Sequence, residues 1–149
     1  MANNKKNEQF ILASHGSLAT GMKSAIKMIC GEDERIEPYD LDNYESPLHI
    51  YKLLENLIIK NTDTNYCIIT DILGGSVQNA LLHLAVFDNV IIVTGMNLGL
   101  VLSMLLDSGD YTLMEKTERA IAASIPAIQI FSKKRILKEL EEYEKEDGI

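Results

Sequence analysis

His15 stands where an apolar run, Gln9 to Ser14, gives way to small residues and then to a helical pattern. An imidazole at such a junction can act through one ring nitrogen as a nucleophile, provided the other keeps its proton. A carboxylate that accepts that proton fixes the tautomer, orients the ring and stabilises the positive charge that develops there. Asp71, at the end of another apolar run, is the acid suited to this task. Gly16-Ser17 follows the histidine and Gly74-Gly75-Ser76 follows the aspartate, each ahead of a helical pattern. Glycine lets main-chain N–H groups come close to a ligand. Helix N-termini add unpaired donors and partial positive charge, and two that converge make a seat for a phosphoryl group. Ser76 has a hydroxyl to cap its helix and to donate to a phosphate oxygen. Together these types describe phosphoryl transfer to His15, giving a phosphohistidine. Amides near Gly16 and Gly75 would supply the electrostatic stabilisation, so neither a metal nor a cofactor is expected.

Taken singly, each residue has an ordinary structural explanation. A histidine at a strand end is often a cap or turn residue, an aspartate after a strand often caps a helix, and Gly-Gly-Ser is a common loop. What distinguishes them is their meeting at one place, which depends on the fold. His49 and His83 lie inside helical patterns with no acid partner in view, and read as structural or surface residues. Asp40 and Asp42 close an edge strand, and Asn97 reads as a helix cap. Met22, Met28, Met104 and Met114 are spaced as core fillers.

Strand and helix patterns alternate along the chain. Gln9–Ser14 reads as a buried strand, and Leu18, Met22, Ala25, Ile26 and Ile29 mark a helix that Gly31 stops. "IEPYDL" is a second strand, whose Pro38 suits a sheet edge. Ser46-Pro47 begins a helix as N-cap and first residue. "YCIITD" and "NVIIVTG" are the third and fourth strands. Two helices divided by Ser108-Gly109 follow, and "PAIQIF", 126–131, reads as a fifth strand. From Ser132 the period is helical but basic residues come first and acids last, against the helix dipole, so the final residues are expected to fray.

Fully apolar strands alternating with helices indicate an α/β fold: a three-layer, doubly wound parallel sheet. The simplest order is 2-1-3-4. Ligands then bind beyond the strand C-termini at the switch between strands 1 and 3, where His15 and Asp71 emerge.

At 149 residues the chain is expected to form one domain, with a core over about 9–131 and a charged helix over 132–149. A net charge of −8 argues against nucleic acid as a partner, and "KKR" at 133–135 is too short to reverse that. An acidic surface would suit a basic protein partner. Cys30 and Cys67 lack metal-ligand spacing and read as buried, reduced thiols. With a polar start and no apolar stretch long enough to cross a bilayer, a cytoplasmic location is expected.

"ILASHGSLATGM" and "IITDILGGSVQNA", supported by "IIVTGMNLGLVLSML", resemble the IIA domains of the mannose-type sugar phosphotransferase system, over roughly residues 9 to 131. The resemblance implies that His15 accepts a phosphoryl group from the phosphocarrier protein HPr and passes it to a IIB domain. Asp71 would hold the imidazole and Ser76 would lie near the phosphate. It also implies a homodimer with the C-terminal strand exchanged between subunits, and the membrane subunits IIC and IID as indirect partners that choose the sugar. The family often has Gly-Gly-Ser-Pro-Phe-Asn, where this chain has Val77 and Gln78. Gly99 replaces a common proline after the fourth strand. Both changes touch the rim of the site and bear on partner choice more than on chemistry. Two other readings stay open. One is the related phosphoryl donor of dihydroxyacetone kinases, which "SHG" and "GGS" favour less. The other is a non-catalytic module that binds a small anion in the same cleft. Phosphorylation of Asp71 itself is disfavoured by the absence of an acidic cluster at strand 1.

Overall fold

Strands β1 (Asn7–Ser14), β2 (Ile36–Asp40), β3 (Thr64–Thr70) and β4 (Val90–Thr94) form one sheet in the order β2-β1-β3-β4, every pair parallel. This is seen in a computed structural model that describes residues 7–148. The polar start, 1–6, and the last residue lie outside the described residues. Pro38 sits on β2, which among the described residues pairs with β1 alone, so its missing N–H costs the sheet little.

Successive strand residues point to opposite faces, and both faces are apolar. Phe10, Leu12, Cys67, Ile69 and Val93 pack beneath α1 (Leu18–Cys30), α4 (Leu98–Leu106) and α5 (Leu113–Ser124). Ile11, Ala13, Tyr66, Ile68 and Val90 pack on the other face against α2 (Pro47–Lys60) and α3 (Ser76–Leu81). A fully buried side chain of this size contributes about 1.5–3 kcal/mol, so covering both faces of β1 and β3 sets their place at the centre. Ser46 caps α2 by accepting from the His49 N–H, with Pro47 at the first helical position, as its sequence indicates. Burial pushes the Cys67 thiol up to about 12, which leaves it a packing residue.

Several expectations are corrected. Segment 126–131 forms no strand with the described residues of its own chain; Pro126 and Ala127 lie in a turn and all six residues are exposed. Cys30 is exposed at the end of α1, and Met28 and Met114 face outward, since those helices present only one stripe to the sheet. Met104 is buried as expected. The charged tail is helical as its period indicates: α6 (Lys133–Glu146) is capped by Ser132, which accepts from the Arg135 N–H. Arg135 also pairs with Glu139 at 2.9 Å and donates to the Ile130 carbonyl, tying the helix to the segment before it.

Candidate functional site at the carboxyl ends of β1 and β3

β1 ends at Ser14, and the chain turns through His15 and Gly16 into α1. Gly16 has φ +53°, a left-handed conformation that glycine adopts without strain. Two side chains from the sheet anchor the first turn of α1. The fully buried Ser14 hydroxyl accepts from the Ala19 N–H at 2.8 Å. Asp40, buried at the end of β2, accepts from the Thr20 N–H at 3.0 Å and from the Thr20 hydroxyl. The sequence reading gave Asp40 only a turn role. A polar residue closing a strand next to β1, with threonine early in α1, was the signal available.

The register pairs Ala13 with Thr70, so β1 and β3 leave the sheet side by side. Asp71 Oδ2 accepts from the His15 main-chain N–H at 2.9 Å and lies 2.8 Å from the ring Nδ1. Asp71 Oδ1 accepts from the Ile72 N–H at 3.0 Å. Burial alone would push the Asp71 carboxyl up. The hydrogen bonds from His15 main chain and ring, the attraction of the imidazole and the Ile72 N–H together outweigh it and hold the group below the usual carboxylate range. An ionised carboxylate only accepts, so Nδ1 carries the proton and Nε2 the lone pair. The Asp71 side chain is 10% exposed and the His15 side chain 45%, so the acid is sheltered while the ring faces outward.

Nε2 lies 3.1 Å from the Ser76 Oγ. Ser76 does not cap α3, contrary to the expectation: Gly75 is the cap residue, and the serine, as first helical residue, turns its hydroxyl to the ring. Gly75 has no conformational need to be glycine, but it has a steric one. A Cβ there would fall 2.8 Å from the Ile72 Cγ2 and 3.1 Å from the His15 Cε1. Gly74 is held on both sides. Its N–H donates to the Gln78 Oε1 at 2.7 Å, and its carbonyl accepts from the Asn79 side chain at 3.1 Å. Gln78 and Asn79 were not among the sequence candidates. A polar residue between Val77 and Leu81, on a helix side that packs inward, was the available sign.

The structure thus brings His15, Asp71, Gly75 and Ser76 together, with Gly16 at the same turn. Asn97 is a cap, accepting from the Leu100 N–H at 2.9 Å. His49 accepts from the Glu45 N–H through its ring and meets Tyr44 edge-on, and neither it nor His83 takes part in the constellation. Two hollows of about 640 Å³ lie elsewhere, between α4 and α5 and beside Glu8 and Lys116 at the opposite end of the strands. The chemistry gathers on an open surface instead. A half-exposed imidazole with a held Nδ1 proton and an unprotonated Nε2, released when the Ser76 hydroxyl turns away, can attack an electrophile delivered by another molecule.

The sequence matches the family model described as "PTS system fructose IIA component" over residues 9–121. None of the curated proteins matches it. Among solved structures, it is similar to a PTS IIA protein associated with the fucose utilization operon of Streptococcus pneumoniae. Identity is 26%, TM-score 0.67, with 88% of this chain and 96% of that chain covered. Component EIIA from Streptococcus agalactiae aligns at 22% identity and TM-score 0.71, covering 83% and 97% of the two chains. The mannose/sorbose specific IIA subunit from Enterococcus faecalis aligns at 19% identity and TM-score 0.70, covering 85% and 96%. These last two likenesses show the fold.

Proposed function

The chain belongs to the mannose/fructose-type IIA family of the sugar phosphotransferase system, and from that premise we propose that it is a cytoplasmic phosphocarrier loaded on His15. The donor is phosphorylated HPr, itself carrying the group on a histidine. The Nε2 lone pair attacks phosphorus, a P–Nε2 bond forms, and the donor's P–N bond breaks with its electrons returning to the donor imidazole. The Nδ1 proton stays in place between His15 and Asp71, which offsets the positive charge gained by the ring. Amides at Gly16 and Gly75 and the Ser76 hydroxyl receive the phosphoryl oxygens. A IIB domain then takes the group by the reverse geometry and delivers it to the sugar at the membrane subunits IIC and IID.

The observation that carries this reading is the ring held through Nδ1 at 2.8 Å by a sheltered carboxylate, on a side chain that is itself 45% exposed. Transfer between proteins needs an accessible imidazole on a convex or shallow surface, not an enclosed cavity, and partners that release quickly. A homodimer belongs to the same reading. Among the described residues β4 pairs with β3 alone, and the exposed segment 126–131 carries Ile128, Ile130 and Phe131, apolar residues suited to an added strand from a second copy.

The test is incubation with phosphorylated HPr followed by mass spectrometry. An acid-labile phosphoryl adduct on His15, lost in His15→Ala, is the expected outcome. Binding of phosphate without any adduct would replace the carrier with an anion-binding module.

A further inference from the structure

Buried polar side chains are costly unless bonded, so where they point is informative. In the part of the fold remote from His15 they serve structure: Thr117 and Ser124 bond carbonyls of their own helix, and Lys116 ties α5 to Glu8 at the start of β1. Three others hold main-chain N–H groups around the imidazole. Ser14 takes the Ala19 N–H and Asp40 the Thr20 N–H at the start of α1. Gln78 takes the Gly74 N–H at 2.7 Å, in the loop that leads to Ser76.

Gln78 is 6% exposed, and side chains in a helix lean back toward its N-terminus, so from the third position of α3 it reaches the loop directly. An N–H can only donate, so the acceptor is Oε1 and the side-chain amide has a single orientation here. Gly74 has φ +77°, and its fixed N–H sets the direction of Gly75, which lies against the ring with no room for a Cβ. Ser76 comes next, 3.1 Å from Nε2.

We infer that Gln78 is a positioning residue for phosphoryl transfer, holding the Gly74–Gly75 main chain so that the Ser76 hydroxyl stays at Nε2 and can swing to the phosphoryl oxygens as they arrive. The step needs a hydroxyl that turns and a main chain that does not. Gln78 touches neither the imidazole nor the phosphoryl group; it acts through Ser76. The kinetic part of this inference rests on the carrier reading, while the geometric part stands without it.

Gln78→Met keeps the length of the side chain and removes the amide acceptor. It is expected to slow loading of His15 by about tenfold at saturating phosphorylated HPr, with KM unchanged. In a Ser76→Ala background the same change should cost less than about twofold, because the group it positions is gone. In the unphosphorylated protein, the ¹⁵N resonance of His15 Nε2 should move in Gln78→Met toward its position in Ser76→Ala. In Gln78→Glu, which retains an acceptor, it should stay at the wild-type position. An unmoved Nε2 resonance in Gln78→Met overturns the assignment, as does an equal slowing with and without Ser76. Failure of wild-type protein to form phosphohistidine sinks the carrier reading instead, and the Nε2 resonance still decides the role of Gln78.

Discussion

The carboxyl end of the sheet and the C-terminal arm, 125–148, are both rich in patterned apolar and polar residues, yet one is internally complete and the other is not. At the sheet end each key polar group finds its partner within the chain: His15 with Asp71, Ser14 and Asp40 with α1, Gln78 with Gly74. In the arm, Ile128 is 81% and Ile130 84% exposed, and no residue of α6 is buried although Ile136, Leu140 and Tyr143 share a face. A catalytic geometry can be closed by one chain because its parts hang from adjacent strands. A short unpaired segment and a single amphipathic helix cannot bury their own apolar faces, so they remain dependent on another surface.

Three measurements press on this contrast. The largest effect is expected from Asp71→Asn. An asparagine can turn its NH2 toward Nδ1, which moves the ring proton to Nε2 and removes the nucleophilic lone pair, so phosphorylation of His15 should slow by about 10²-fold or more. A rapid-quench assay reads it; a rate within threefold of wild type would mean that the acid does not set the tautomer. Next, if the proposed homodimer forms through the arm, Ile128→Glu with Ile130→Glu should shift it to monomer in sedimentation while the sheet core survives by circular dichroism. An unchanged mass would show that the arm plays no part in self-association. The smallest effect concerns pH. The folded Asp71 carboxyl lies below its unfolded value near 4, so it contributes stability above that value and loses it as pH falls through the folded pKa. The urea-midpoint gap between wild type and Asp71→Asn should therefore be widest near neutrality and narrow below about pH 4, where the unfolded carboxyl is already protonated. A gap that widens on acidification would reverse the sign assigned here.

Much of the fold was legible because hydrophobic period reports burial directly. The apolar runs of β1 and β3, the Pro38 edge and the right-handed crossovers are enough to yield the order 2-1-3-4, and with it the meeting of His15 and Asp71. Ser46 and Asn97 read correctly as caps because capping is local. Ser76 did not, since its choice between an adjacent N–H and a distant imidazole depends on a ring brought in from another strand. The strand pattern of 126–131 finds no partner within the chain for a related reason. Alternation tells that a segment suits a sheet, not that an edge of its own chain is within reach.

By itself, then, the sequence determined which segments become strands and helices and which two of them carry an imidazole and a carboxylate to one end of the sheet, because periodicity and chain connectivity are written residue by residue. Only the tertiary structure decided that Asp40 anchors α1, that Gly75 is glycine to admit the ring, that Ser76 faces Nε2 and that Gln78 holds the loop between them. Those are contacts of a few ångströms between elements. No spacing along the chain encodes them, because they exist only once both faces of the sheet have been covered.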